Sequence, residues 1–89
     1  MQGRRIYWKD GERNPNLLES GDYAWDSLSK RWWIRTPNGI LGGVSTEIHK
    51  IIEHEDRTIT VSPSILTTSG NPEEGNWHGY LEKGIWREV

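Results

Sequence analysis

Arg31, Trp33 and Arg35 stand at alternate positions of the stretch Arg31-Trp32-Trp33-Ile34-Arg35. In an extended backbone successive side chains point to opposite faces, so this spacing puts two guanidinium groups and one indole on one face. Trp32 and Ile34 then share the other face and enter a core. The chemistry on offer is recognition of a planar anion: a nucleobase stacks on an indole for about 1–3 kcal/mol, and arginine grips phosphate through paired N–H donors. Tyr80 and Arg87 repeat the combination near the C-terminus, and Arg4, Tyr7 and Trp8 are candidates to extend it. The same residue types also anchor protein interfaces. The plainer alternative is structural: Trp33 packs under a loop while the arginines pair with Asp or Glu at the surface.

Other chemistries have weaker support. His49 and His54 are five residues apart, which fits neither one face of a helix nor one face of a strand. With no cysteine in the chain, a metal site would need His78 together with distant carboxylates. Glu53, His54 and Glu55 gather groups suited to general acid–base work, the basis of a weaker hydrolase alternative. Ser62 and Ser64 flank Pro63 without a nucleophile elbow, and Gly42-Gly43 lacks the frame of a phosphate-cradling loop. The sequence therefore favours binding over catalysis, with no catalytic residue, metal or cofactor assigned.

The elements that position these residues are strands. Arg4–Lys9 reads as a first strand, ended by Asp10-Gly11, and residues 12–21 as a loop with one short helical turn. A short strand over 22–27 leads into strand 31–36, which Pro37-Asn38-Gly39 ends, and 40–45 returns. Residues 46–49 read as a helical turn, so at most one short helix is expected, near 45–50. A strand at 50–55 then turns at Asp56-Arg57 into the alternating segment Thr58–Ser64. That register groups Ile52, His54, Ile59 and Val61 on one face. Residues 67–75 read as a loop. The last hairpin turns at Lys83-Gly84, pairing Leu81 with Trp86 and Tyr80 with Arg87. Trp77, Gly79, Leu81 and Trp86 share its inner face, with Gly79 leaving room for an indole. The expected fold is mainly β: a small antiparallel sheet or partly open barrel of five to seven short strands. Residues 1–89 form a single domain, with 1–30 as an N-terminal strand and loop region and 31–89 as the hairpin core.

The 89-residue length limits the core, since so short a chain buries only about 60–65% of its unfolded surface. Six tryptophans compensate, each able to bury about 150–250 Å². A net charge of −2 from 11 basic and 13 acidic residues argues against a general nucleic-acid coat. No segment has the length of apolar sequence that a membrane helix needs, no signal-peptide core appears, and a soluble cytoplasmic protein is expected.

The stretches IIEHEDRTITVSPSIL and WHGYLEKGIWREV resemble a family of short bacterial and phage-encoded proteins of unknown function. Its pattern runs Glu-His-x-Asp-Gly-Thr-Ile-Thr-Val-Ser-Pro-Ser-Ile, then Trp-His-Gly-aromatic-Leu and Gly-x-Trp-Arg-Glu. The likeness covers roughly the last 40 residues; residues 1–30 lie outside it. Arg57 stands where the pattern has Gly. The resemblance implies a compact β-rich domain of bacterial or phage source, in the host cytoplasm if phage-encoded, and transfers no catalytic residue. The expected function is a small non-enzymatic binding protein that sequesters a nucleotide-type ligand through Arg31, Trp33, Arg35, Tyr80 and Arg87, in one setting to neutralise a host defence signal. The alternative is a protein-interaction module or inhibitor in which the same surface anchors a host protein, or a second copy of the chain in a homodimer or higher homo-oligomer.

Overall fold

The computed structural model describes residues 1–9, 13–68 and 75–89. Among them eight strands run in chain order: β1 (Arg4–Arg5), β2 (Asp22–Asp26), β3 (Arg31–Arg35), β4 (Leu41–Val44), β5 (Lys50–Glu53), β6 (Ile59–Thr68), β7 (Asn76–Glu82) and β8 (Ile85–Glu88). They form two four-stranded sheets, β1-β2-β3-β4 and β5-β6-β7-β8, and do not close into a barrel. Every pair is antiparallel except β1 with β2. The mainly β fold built from hairpins is the one that alternation and turn residues predict. Helical backbone among the described residues is limited to a 3₁₀ turn at Pro15–Leu17. Asn14 caps it by accepting from the Asn16 N–H at 3.2 Å, and Pro15 pre-sets its first φ.

The inner faces of the two sheets meet in one core. Tyr23, Trp32, Ile34 and Val44 come from the first, and Ile59, Val61, Ile65, Trp77, Leu81 and Trp86 from the second. Trp77 and Trp86 meet edge to face, with ring centroids 5.3 Å apart at 83°. Gly79 makes this possible: a Cβ there would collide with the Trp77 ring and the Arg87 carbonyl oxygen. The β7–β8 turn has φ of 48° at Lys83 and 76° at Gly84, the left-handed pair a two-residue hairpin favours. Its register sets Leu81 against Trp86 and Tyr80 against Arg87, as predicted.

An extended N-terminal arm joins the sheets. The Gly3 N–H donates to Gly84 O at 2.7 Å and the Trp86 N–H to Met1 O at 2.8 Å, along the edge of β8. Immediately afterwards the Arg4 N–H donates to Gly21 O at 3.2 Å and the Ile6 N–H to Tyr23 O at 2.9 Å, along β2. The total of eight strands exceeds the expected five to seven by one. The arm's own strand falls within the expected strand 4–9 but is shorter, because only Arg4 and Arg5 keep a ladder register with β2.

The β5–β6 register differs from expectation by one residue. Ile51 faces Val61, Ile52 faces Thr60 and Glu53 faces Ile59. The cause is the turn. The His54 N–H donates to Thr58 O at 2.8 Å and the Arg57 N–H to His54 O at 3.0 Å, with Arg57 at φ 74°. A three-residue loop ending in a left-handed residue replaces the two-residue turn, and the side-chain period of two does the rest. Ile51 therefore packs against the core, while Ile52 is 42% exposed. Residues 46–48 form a turn and not a helix, with the Ile48 and His49 N–H groups both donating to Ser45 O. In the expected loop 67–75, Thr67 and Thr68 end β6, and 69–74 lie outside the described residues, as does the turn at Asp10-Gly11.

Candidate functional site

Strand β3 divides its side chains as the alternation requires. Trp32 and Ile34 are 5% and 0% exposed, whereas Arg31, Trp33 and Arg35 lie on the outer face. Trp33 is half-buried there, and its Nε1–H donates to Asp26 Oδ2 at 3.0 Å. Asp26 ends β2 and is itself buried, so its carboxylate survives only by collecting donors. Arg13 Nε, Ser29 Oγ at 2.8 Å and the Leu28 N–H at 3.0 Å complete the set. Burial pushes the Asp26 carboxyl up, but the hydrogen bonds from Arg13, Trp33, Ser29 and Leu28 outweigh it and hold the group well below the usual carboxylate range. Asp26 thus fixes the ring of Trp33 and the β2–β3 turn together.

The two arginines of the row do different things. Arg35 is half-buried and bonded into loops, its Nη1 donating to Gly39 O at 2.9 Å and Nη2 to Asn16 O at 3.4 Å. Arg31 is exposed, carries its guanidinium 5.8 Å from the Trp33 ring centroid, and makes no ion pair among the described residues. Gly43, opposite Trp33 in the ladder, gives the Arg31 stem room: an added Cβ would sit 3.1 Å from Arg31 Cδ. Beside Arg31 opens a polar hollow of about 380 Å³, lined also by Ser29, Lys30, Ser45, Thr46 and Glu47. Two cations against one carboxylate, with three hydroxyls, suit an anion. Lys30 is held in this wall at φ 54°, a left-handed conformation costly for a non-glycine residue.

Tyr80 and Arg87 do not join this site. They face each other across β7 and β8 on the outer side of the second sheet, with the guanidinium 4.9 Å from the ring centroid and paired to Glu82 at 2.6 Å. Because the inner faces of both sheets meet in the core, the two aromatic–arginine pairs look out from opposite sides. Arg4 is tied to Asp22 and Glu19, and Tyr7 stacks on Arg5 at 4.7 Å. Trp8 lines a separate small cavity with Trp25 and Arg13.

The histidines are engaged in the sheets. His54 Nε2 lies 2.7 Å from Thr60 Oγ1, His49 Nε2 3.1 Å from Ser64 O, and His78 Nε2 3.2 Å from Ser64 Oγ. No cluster of three or more His, Asp or Glu suited to a metal occurs among the described residues. No helix there is long and apolar enough to cross a membrane.

Sequence reasoning missed Trp25. It faces Trp32 across the β2–β3 ladder, so it points to the inner side, yet it is 39% exposed. It borders a cleft of about 280 Å³ between the sheets, with Trp32, Ile51, Thr46, Arg5 and Glu53. The signal was available, since a two-residue step from Tyr23 puts both aromatics on one face. Compared with protein-family models, with curated proteins and with solved structures, this chain matches none.

Proposed function

We propose that this chain is a small non-enzymatic binding protein that captures a nucleotide-type anion, its phosphate seated in the hollow beside Lys30 and Arg31. The observation that carries the reading is Arg31: an exposed guanidinium with no carboxylate partner among the described residues, held over an indole and facing a hollow with a second cation. Such a protein acts by sequestration, affinity coming from charge-assisted hydrogen bonds to the phosphate. The resemblance of the C-terminal region to phage and bacterial proteins makes removal of a host defence signal the setting in which this would matter. The test is a panel of nucleoside phosphates followed by tryptophan fluorescence and thermal shift. Binding by at least one member, weakened about tenfold or more by Arg31→Ala, is expected.

A second reading has its own observation. The outer face of the second sheet exposes Leu66, Ile85 and Val89 around the Tyr80–Arg87 pair, and tyrosine and arginine are residues that interface hot spots favour. A protein partner bound there would be lost with Tyr80→Ala and unaffected by Arg31→Ala in pull-down.

A further inference from the structure

We infer that strand β4 pairs edge to edge with β4 of a second copy of this chain, joining their two four-stranded first sheets into one. The inference stands apart from anion capture and holds whether or not an anion is bound. The two sheets end in four edge strands, β1, β4, β5 and β8. An open edge presents unpaired N–H and C=O groups that recruit other strands, so natural sheets guard it with charge, proline, brevity or a covering segment. The N-terminal arm covers β8 through the Gly3–Gly84 and Met1–Trp86 bonds. β1 consists of two arginines, and β5 carries Lys50 and Glu53 at its ends, with Glu53 held by Arg5. β4, Leu41-Gly42-Gly43-Val44, has neither charge nor proline.

The ladder fixes which groups of β4 point outward. The Thr36 N–H donates to Ile40 O, and bonded pairs alternate in an antiparallel ladder, so Gly42 and Val44 bond to Ile34 and Trp32. Arg35 agrees, since its carbonyl accepts from the Gly21 N–H on the far side of β3. Leu41 and Gly43 therefore turn their N–H and C=O groups away from β3, and these have no backbone partner among the described residues. A second copy offers the same two residues in reverse. With Gly42 on the two-fold axis, Leu41 of each copy faces Gly43 of the other, each pair exchanging both N–H···O bonds.

The side chains fit this register. Gly42 meets Gly42 where an antiparallel pair brings side chains closest, and neither has one. Leu41 and Gly43 lie on the outer face, opposite Arg35 and Trp33. Leu41 of one copy thus comes to rest beside the bare Gly43 of the other. An added Cβ at Gly43 would lie 3.7 Å from the Trp33 ring and 3.1 Å from Arg31 Cδ, so that indole and the arginine stem wall the space the leucine enters. A second copy is favoured over a foreign strand because it brings glycine both to the axis and opposite each leucine.

Sedimentation of the intact chain from about 10 µM to about 1 mM should show a weak, reversible dimer. In the same samples amide exchange at Leu41 and Gly43 should slow as concentration rises, while Gly42 and Val44, bonded to β3 in either state, stay protected throughout. Gly43→Pro removes an N–H that the fold does not use, and Leu41→Lys introduces the kind of charge that guards other edges. Each should weaken dimerisation about tenfold or more, and Tyr80→Ala should leave it unchanged. The exchange readout survives if Gly43→Pro fails to fold. A monomer at every concentration overturns the inference. So does a dimer in which exchange at Leu41 and Gly43 is independent of concentration, or one that Leu41→Lys leaves intact.

Discussion

Trp33 shows how one residue answers to two demands. Alternation turned its ring outward, as the spacing of Arg31 and Arg35 requires, but the indole N–H is bonded to a buried carboxylate and the ring is half-covered. Its ring therefore works as the seat of Arg31 more than as an open platform. The bond partner was not legible: nothing in the spacing of Asp26 and Trp33 shows that the β2–β3 turn folds both toward Arg13. Asp26 carries a prediction of its own. Its folded pKa is depressed, so the stability it contributes is complete above the ordinary aspartate value of about 4 and is lost as pH falls below it. Asp26→Asn should cost about 2–3 kcal/mol at neutral pH by leaving donors short of an acceptor. Urea denaturation should also show a shallower loss of stability below about pH 4 than in the parent protein.

The hairpin is the element at which sequence reading succeeded or slipped, and the turn decided which. Lys83-Gly84 is a two-residue left-handed turn, so the pairing of Tyr80 with Arg87 followed from counting. At Asp56-Arg57 the same count failed, because the loop holds one residue more and Arg57 takes φ 74°. The arginine itself gives no hint of a conformation that favours glycine; the one sign of it is that Arg57 stands where the resembled pattern has Gly. Arg57→Gly should therefore raise stability by about 0.5–1 kcal/mol, the relief of the left-handed strain exceeding the added entropy of the unfolded chain. Lys30 is strained in the same sense at φ 54° but lines the hollow. Lys30→Gly should gain comparable stability and lose nucleotide affinity, a stability-for-function exchange that chemical denaturation and calorimetry separate.

At the scale of the whole molecule, two sheets hold one core and the N-terminal arm stitches them together. The sheets themselves were readable from the alternation in residues 31–35 and 58–64. Their division into two, and the arm between them, were not, because backbone bonds from Met1 and Gly3 to β8 leave no mark in side-chain pattern. Gly3 sits at this seam, where an added Cβ would come within 2.7 Å of Gly21 O and 2.8 Å of Trp86 Nε1. Gly3→Ala should destabilise by about 1–3 kcal/mol through overpacking, seen as a lower urea midpoint. The same division into two sheets separates Tyr80 and Arg87 from Arg31, so the five residues that the sequence groups as one surface become two. The functional account turns on the one that faces the hollow. Calorimetric titration of nucleoside phosphates into the parent protein and Arg31→Ala, both shown folded, is the direct test. Saturable one-site binding that Arg31→Ala weakens about tenfold or more is the predicted result; equal affinity in the two proteins, or no heat from any nucleoside phosphate, would contradict it.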